Sequence, residues 1–312
     1  MRVVALAGGV GGAKLAHGLQ AHLGADLTVV ANTGDDLELH GLLVMPDHDT
    51  VMYTLAGLAD RELGWGLAGE TFAAAGQLST YGEPTWFRLG DRDLATHVVR
   101  TERLRRGRRL TEICLELQAA LGVLARVLPM SDDPVRTHVA TDEGWLDFQE
   151  YFVHRRQAPE VRQVRFDGIE AAHPSPEVLD AIAVADAVVV APSNPIVSIG
   201  PILAVPGLRQ ALIAGGAPIV AVSPIVGGRA IKGPADRMLA SLGEEVSALG
   251  VARRYADLAT GFVLDREDAP LAPAVESLGL RTLVTDTIMT DDPARARLAA
   301  AVLEFAGAVA GD

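Results

Sequence analysis

The chain has 312 residues and a formal net charge of −13. Such diffuse acidity excludes a protein that coats nucleic acid, which needs clustered Lys and Arg to neutralise phosphates. Apolar residues make up 49% and aromatics only 4%, so a sizeable core must be built mainly of Ala, Val, Leu and Ile. The single cysteine, Cys114, excludes an intramolecular disulfide and reads as a small buried residue. The N-terminus carries no signal-peptide pattern, so a cytoplasmic location is expected.

Val3–Ala7 is a short apolar run ending at Gly8-Gly9, and reads as a buried strand. Gly12–Leu23 reads as a helix with Leu15, Leu19 and Leu23 on one face. Leu27–Ala31 is a second strand, ending in Asn32-Thr33-Gly34-Asp35-Asp36. From about Thr50 the pattern turns helical, over Val51–Leu58, Glu70–Leu78, Leu94–Leu104 and Thr111–Leu121. Thr137–Thr141, Leu146–Val153 and Val161–Phe166 read as short, antiparallel strands. The α/β rhythm then returns. Helices are expected over Pro176–Ala185 (capped by Ser175), Gly207–Ala214, Pro234–Leu242 and Pro293–Ala306. Strands are expected over Ala187–Ala191, Pro218–Val222, Phe262–Leu264 and Thr282–Val284. The uncharged run Ala187–Leu208 is long enough for a membrane span, but Pro192, Pro195, Pro201 and Pro206 favour a strand and loop. The sum is one α/β domain over residues 1–312 with a Rossmann-like parallel sheet. A mainly helical insertion with a small β segment occupies about residues 50–170.

Gly8-Gly9-Val10-Gly11-Gly12-Ala13-Lys14 joins the first strand to the first helix. Glycines allow a sharp turn and close approach of a ligand to the main chain, and a helix N-terminus offers free N–H groups to a phosphate. The turn matches no standard fingerprint. Lys14 stands where a dinucleotide fold wants glycine or alanine, and Ala13 and Leu15 flank it where a Walker loop wants Gly and Ser or Thr.

Ligands of open parallel sheets bind at the carboxyl ends of the strands. Four such ends are polar or glycine-rich: Gly8-Gly9, Asn32–Asp36, Pro192–Pro195 and Ser223–Gly228. Ser193, Asn194, Ser223 and Gly227 suit a nucleobase or ribose. Asp35 and Asp36 suit a divalent cation, or an Asx turn. Asp49 and Asp91 or Asp93 read as helix caps when taken alone. Six arginines between Arg100 and Arg109 read as a solvated helix end.

Read together, these segments resemble the 2-phospho-L-lactate transferase family, whose bacterial branch is called phosphoenolpyruvate transferase. The resemblance is carried by Gly8–Lys14, Asn32–Asp36, Pro46–Thr50, Leu89–His97, Pro129–Pro134, Phe148–Glu150, Pro192–Pro201 and Ser223–Gly227. It implies transfer of a phospholactyl or phosphoenolpyruvyl group from a guanosine-diphosphate-linked three-carbon acid. The acceptor is the ribityl hydroxyl of a deazaflavin precursor, GMP is released, and Mg²⁺ is required. The product belongs to coenzyme F-420 biosynthesis. The resemblance further implies that Asp49 and Arg88 hold the deazaflavin and act in catalysis. Gly8, Gly9, Gly11, Gly12, Lys14, Ser193, Asn194, Ser223 and Gly227 would bind the nucleotide, and Asp35 and Asp36 the metal. Archaeal members have polar residues where this chain has Val10 and Gly12, which tilts the donor toward phosphoenolpyruvyl. A related family of gluconeogenesis-factor-like regulators, which bind nucleotide sugars, is the alternative. Small molecules rather than nucleic acid or membrane are the expected partners, and an apolar patch on the insertion would favour a homodimer.

Overall fold

The computed structural model describes residues 1–311. β1 (Val3–Ala7) passes through the glycine turn into α1 (Gly9–Leu23) and then β2 (Leu27–Ala31). A hairpin of β3 (Leu37–Leu39) and β4 (Leu42–Val44) precedes α2 (Pro46–Leu55), α3 (Ala73–Thr80), α4 (Asp91–Arg105) and α5 (Leu110–Ala120). β5 (Arg126–Pro129) follows, then β6 (Arg136–Thr141), β7 (Gly144–Asp147) and β8 (Gln163–Asp167). The second half runs α6 (Pro176–Ala183), β9 (Ala187–Val190), α7 (Ile199–Ala204), α8 (Leu208–Ala214) and β10 (Ile219–Val222). After a small hairpin of β11 (Ile225–Val226) and β12 (Arg229–Ala230) come α9 (Ala235–Ser241), α10 (Ala248–Tyr255) and β13 (Gly261–Asp265). α11 (Ala272–Glu276), β14 (Arg281–Thr285) and α12 (Asp292–Ala310) complete the chain.

Seven strands form one parallel sheet in the order β14-β13-β10-β9-β1-β2-β5. Both faces are covered, which is why the central strands are continuous apolar runs rather than alternating ones. Val4 and Leu6 pack with α6, α8 and α10 on one side. Val3, Ala5 and Ala7 pack with Leu15 and Leu19 of α1 and Leu298, Val302 and Phe305 of α12 on the other. β6, β7 and β8 form the separate antiparallel sheet expected from the pattern.

Strand order reverses between β1 and β9, and a ligand crevice opens at such a switch point. The turn after β1 meets the turn after β9 there. Ser193 Oγ accepts from Gly8 N at 3.0 Å and donates to Gly8 O at 2.8 Å. A Cβ on Gly11 would collide with the Pro192 carbonyl oxygen, and one on Gly12 with Ser193 Oγ. These glycines are required by the approach of two backbones.

Several elements depart from the sequence pattern, and the causes are physical. α1 starts at Gly9, α2 at Pro46 and α4 at Asp91, each earlier than propensity suggests. Their motifs are first helical turns, not preceding loops. Asp49 therefore is not a cap. Asp91 does cap a helix, but α3 rather than its own, accepting from the N–H groups of Ala73 and Ala74. Glu70 returns the favour by accepting from Arg92 N and Asp93 N at the start of α4. Leu146–Val153 is not one strand. β7 stops at Asp147 and residues Glu150–His154 form a wide π-type turn, with Phe148 and Phe152 stacked at 5.5 Å. Ser175 caps α6 as expected, accepting from Val178 N. The run Ala187–Leu208 is strand, loop and short helix. Among the described residues no helix is long and apolar enough to cross a membrane.

Gly11→Ala is expected to cost about 1–3 kcal/mol through backbone displacement. Gly76→Ala, inside α3 with open space around it, should be neutral or stabilising by up to about 1 kcal/mol. Denaturant unfolding of the two variants checks the contrast.

Candidate active site

A cavity of about 560 Å³ lies on the rim of carboxyl strand ends. One wall is the glycine turn with Pro192, Ser193 and Asn194 after β9 and Ser223 and Pro224 after β10. Thr287, Ile288, Met289 and Thr290 after β14 extend it. That loop is held by Asp265 at the end of β13, whose Oδ2 accepts from Thr287 N and Oγ1 at 2.7 and 2.9 Å. Six aromatic side chains also line it: Tyr53, Trp65, Trp86, Phe87, Phe148 and Phe152. The chain has few aromatics, so six of them on one cavity argue for a flat, apolar ligand surface. Trp86 is held by a ring stack on His154 at 5.2 Å.

Four carboxylates line the cavity, Asp35, Asp47, Asp49 and Asp93. Asn32 Nδ2 donates to both Asp35 Oδ1 and Asp47 Oδ2 at 3.0 Å. Gln149 Nε2 holds Asp35 Oδ2 at 3.1 Å, which gives the Phe148–Glu150 motif a structural role. Burial, then the charges of Asp47 and Asp36, push the Asp35 pKa well up. Burial likewise raises Asp47, against hydrogen bonds from Asn32, Ser198 and Gly9 N.

Asp49 is the opposite case. Arg100, fully buried, donates to it with both terminal nitrogens, Nη1 reaching Oδ2 at 3.0 Å and Nη2 reaching Oδ1. Burial alone would raise the Asp49 pKa. Arg100, with His48 and His97, outweighs it and holds the carboxyl well below the usual range. Asp93, His97 and Asp49 gather closely enough to resemble a metal cluster, but Arg100 Nη1 also reaches His97 Nδ1 at 3.2 Å and fills the gap with a fixed cation.

Asp49 and Arg88 do line the same cavity. Arg88 is exposed and lies over the Phe72 ring at 4.2 Å, so its guanidinium is placed by a cation–π contact. Gly8, Gly9, Gly11, Lys14, Asp35, Ser193, Asn194 and Ser223 line the cavity too. Gly12, Asp36 and Gly227 are not among its lining residues. Gly12 packs against β1 and Ser193, and Gly227 N donates to Asp268. Asp36 is buried beside the site with Oδ1 unpartnered. Sequence reasoning missed Asp47, the loop after β14, Lys232 and the aromatic side chains. The strand-end rule, applied to β14, points to the loop; nothing local marks the rest.

An open parallel sheet with a glycine turn at its switch point and aromatic side chains on the same cavity defines a Rossmann-like enzyme with its site on the strand ends. The match to the family model described as 2-phospho-L-lactate transferase CofD covers residues 3–286, so the chain belongs to that family and is a transferase. It is 48% identical to a phosphoenolpyruvate transferase of Streptomyces griseus over 98% of both chains. It is 40% identical to a 2-phospho-L-lactate transferase of Methanosarcina mazei, covering 97% of this chain and 99% of that one. A crystal structure of a UPF0052-family protein from Bacillus halodurans shares the fold, with TM-score 0.64 at 15% identity over 96% of this chain and 98% of that one.

Arg100→Met would leave Asp49 buried without its partner, at an expected cost of about 3–5 kcal/mol, readable by denaturant unfolding. Asp35 has the other sign. An acid with a raised folded pKa favours folding below its unfolded value, about 3.9, and that contribution is lost as pH rises through the folded pKa. Asp35→Asn should therefore raise the thermal midpoint at pH 7.5 in metal-free buffer, with the gain shrinking toward pH 4.5.

Proposed function

We propose that the protein transfers a phosphoenolpyruvyl group from a guanosine-diphosphate-activated donor to the ribityl hydroxyl of 7,8-didemethyl-8-hydroxy-5-deazariboflavin, releasing GMP, in coenzyme F-420 biosynthesis. The observation that carries this reading is the juxtaposition inside one cavity. A phosphate-type turn at a helix N-terminus shares the cavity with six aromatic side chains of the kind that suit a planar tricyclic ring. Phosphoenolpyruvyl is preferred over phospholactyl because the relatives of 46–48% identity are phosphoenolpyruvate transferases.

In this reading the phosphates rest on the N–H groups of the glycine turn, and the guanosine lies along Ser193, Asn194 and Ser223. The acceptor hydroxyl oxygen attacks the phosphorus that bears the acid. That P–O bond forms, the bond to the GMP phosphate breaks, and one proton is released. Positioning and charge neutralisation supply most of the rate in such transfers. Arg88 and Asp49 orient the acceptor. The depressed pKa of Asp49 suits a fixed hydrogen-bond acceptor rather than a proton acceptor. Asp35 and Asp47 fit a hard divalent cation, being buried oxygen donors that share one amide and have raised pKa values. Mg²⁺ held there would neutralise charge on the diphosphate. Asp36, expected as a ligand, would act only through the field beside them.

Mass spectrometry of the product made from the deazaflavin and each guanosine-linked donor tests this. A phosphoenolpyruvyl adduct with one GMP per turnover is expected; a deazaflavin left unmodified by both donors sinks the reading. Asp49→Asn should lower kcat/KM at least about tenfold, a loss of about 1.4 kcal/mol in transition-state binding. A change within about threefold removes Asp49 from the mechanism. Chelation should abolish turnover and added Mg²⁺ should restore it.

A further inference from the structure

One corner of the cavity is cationic although the protein as a whole is strongly acidic. Lys14 lies within the second turn of α1, and Lys232 on the loop between β12 and α9; both line the cavity. Each is tethered to a wall by a backbone carbonyl. Lys14 Nζ donates to Met289 O at 3.0 Å, and Lys232 Nζ to Leu63 O at 2.8 Å. A carbonyl uses one of the three ammonium donors and cancels none of the charge. Among the described residues, these carbonyls are the hydrogen-bond partners of the two lysines, and neither makes a salt bridge.

The neighbouring arginines are matched by Asp292 and Asp291 and leave no spare carboxylate for the lysines. Arg61 and Arg295 share Asp292, at 2.8 and 3.1 Å. Burial first, then Arg295 and Lys232, push the Lys14 pKa down, as happens to a cation short of counter-charge. An anion entering between the lysines would meet two free donor sets and a positive field.

We propose that Lys14 and Lys232 form a two-point clamp for the carboxylate of the donor's three-carbon acid, which deepens the function proposed above and rests on it. The glycine turn accounts for phosphate, through main-chain N–H groups at the start of α1. A donor that ends in a three-carbon acid carries one further anion, and needs a second cationic point off the turn. The clamp supplies it. Leu63 and Met289, the carbonyl tethers, belong to separate segments, so the two charges are held independently.

Lys232→Gln and Lys232→Arg test the clamp in the full chain, Lys232 being exposed and outside the packed core. GDP and phosphoenolpyruvate are titrated separately by calorimetry into each protein. Lys232→Gln should weaken phosphoenolpyruvate binding at least about tenfold, and Lys232→Arg should recover it to within about threefold, while GDP shifts by less than about twofold. Equal weakening of GDP would put phosphate rather than carboxylate between the lysines and overturn the assignment. So would unchanged phosphoenolpyruvate binding to Lys232→Gln, or no binding of millimolar phosphoenolpyruvate to the unaltered protein. Failure of the transfer reaction shows separately, as absence of GMP release by the unaltered protein.

Discussion

Ser193 holds the turn after β1 to the turn after β9, and the site is arranged around that contact. Its hydroxyl bonds both N and O of Gly8 across the switch in strand order. With the two backbones this close, side chains at Gly11 and Gly12 are excluded. The N-terminus of α1 is thereby set at the rim, next to the ends of β9 and β10. The loops after β2 and β14 complete the same rim because a parallel sheet delivers all its carboxyl ends to one edge.

The buried carboxylates that line the cavity divide into two electrostatic regimes a few residues apart in sequence. Asp49 is neutralised inside the fold by Arg100, which makes it rigid and permanently charged. Asp35 and Asp47 have one amide between them and no such cation, so burial works against their charge. Folded proteins retain uncompensated buried charge where a ligand supplies the compensation, at some loss of stability. The contrast separates a carboxylate fixed by an internal cation from a pair left without one.

Much of this was legible locally. Continuous apolar runs marked the central strands, because burial on both faces leaves no room for alternation. Ser175 before Pro176 marked a helix start that the structure contains. The helix starts at Gly9, Pro46 and Asp91 were not legible, because glycine, proline and aspartate read as loop residues by propensity. Tertiary contacts hold them in first turns instead: Ser193 against Gly8, Arg100 on Asp49, and Glu70 on the N–H groups of α4. The hairpin at His40-Gly41 was missed because both residues take positive φ without the usual Asn-Gly signal. Arg100 looked like one more arginine in a charged run, yet it alone of that run is fully buried.

The sequence by itself determined the α/β class, the position of the glycine turn and, through the order of its motifs, the family. Those features are contiguous or repeat along the chain, so local pattern carries them. Only the tertiary structure decided which residues share the cavity: Asp47 in and Asp36 out, the aromatic side chains, the loop after β14, and Lys232 with Lys14. These meet across more than two hundred residues of chain. Their proximity is a consequence of strand order and helix packing, which no local spacing encodes.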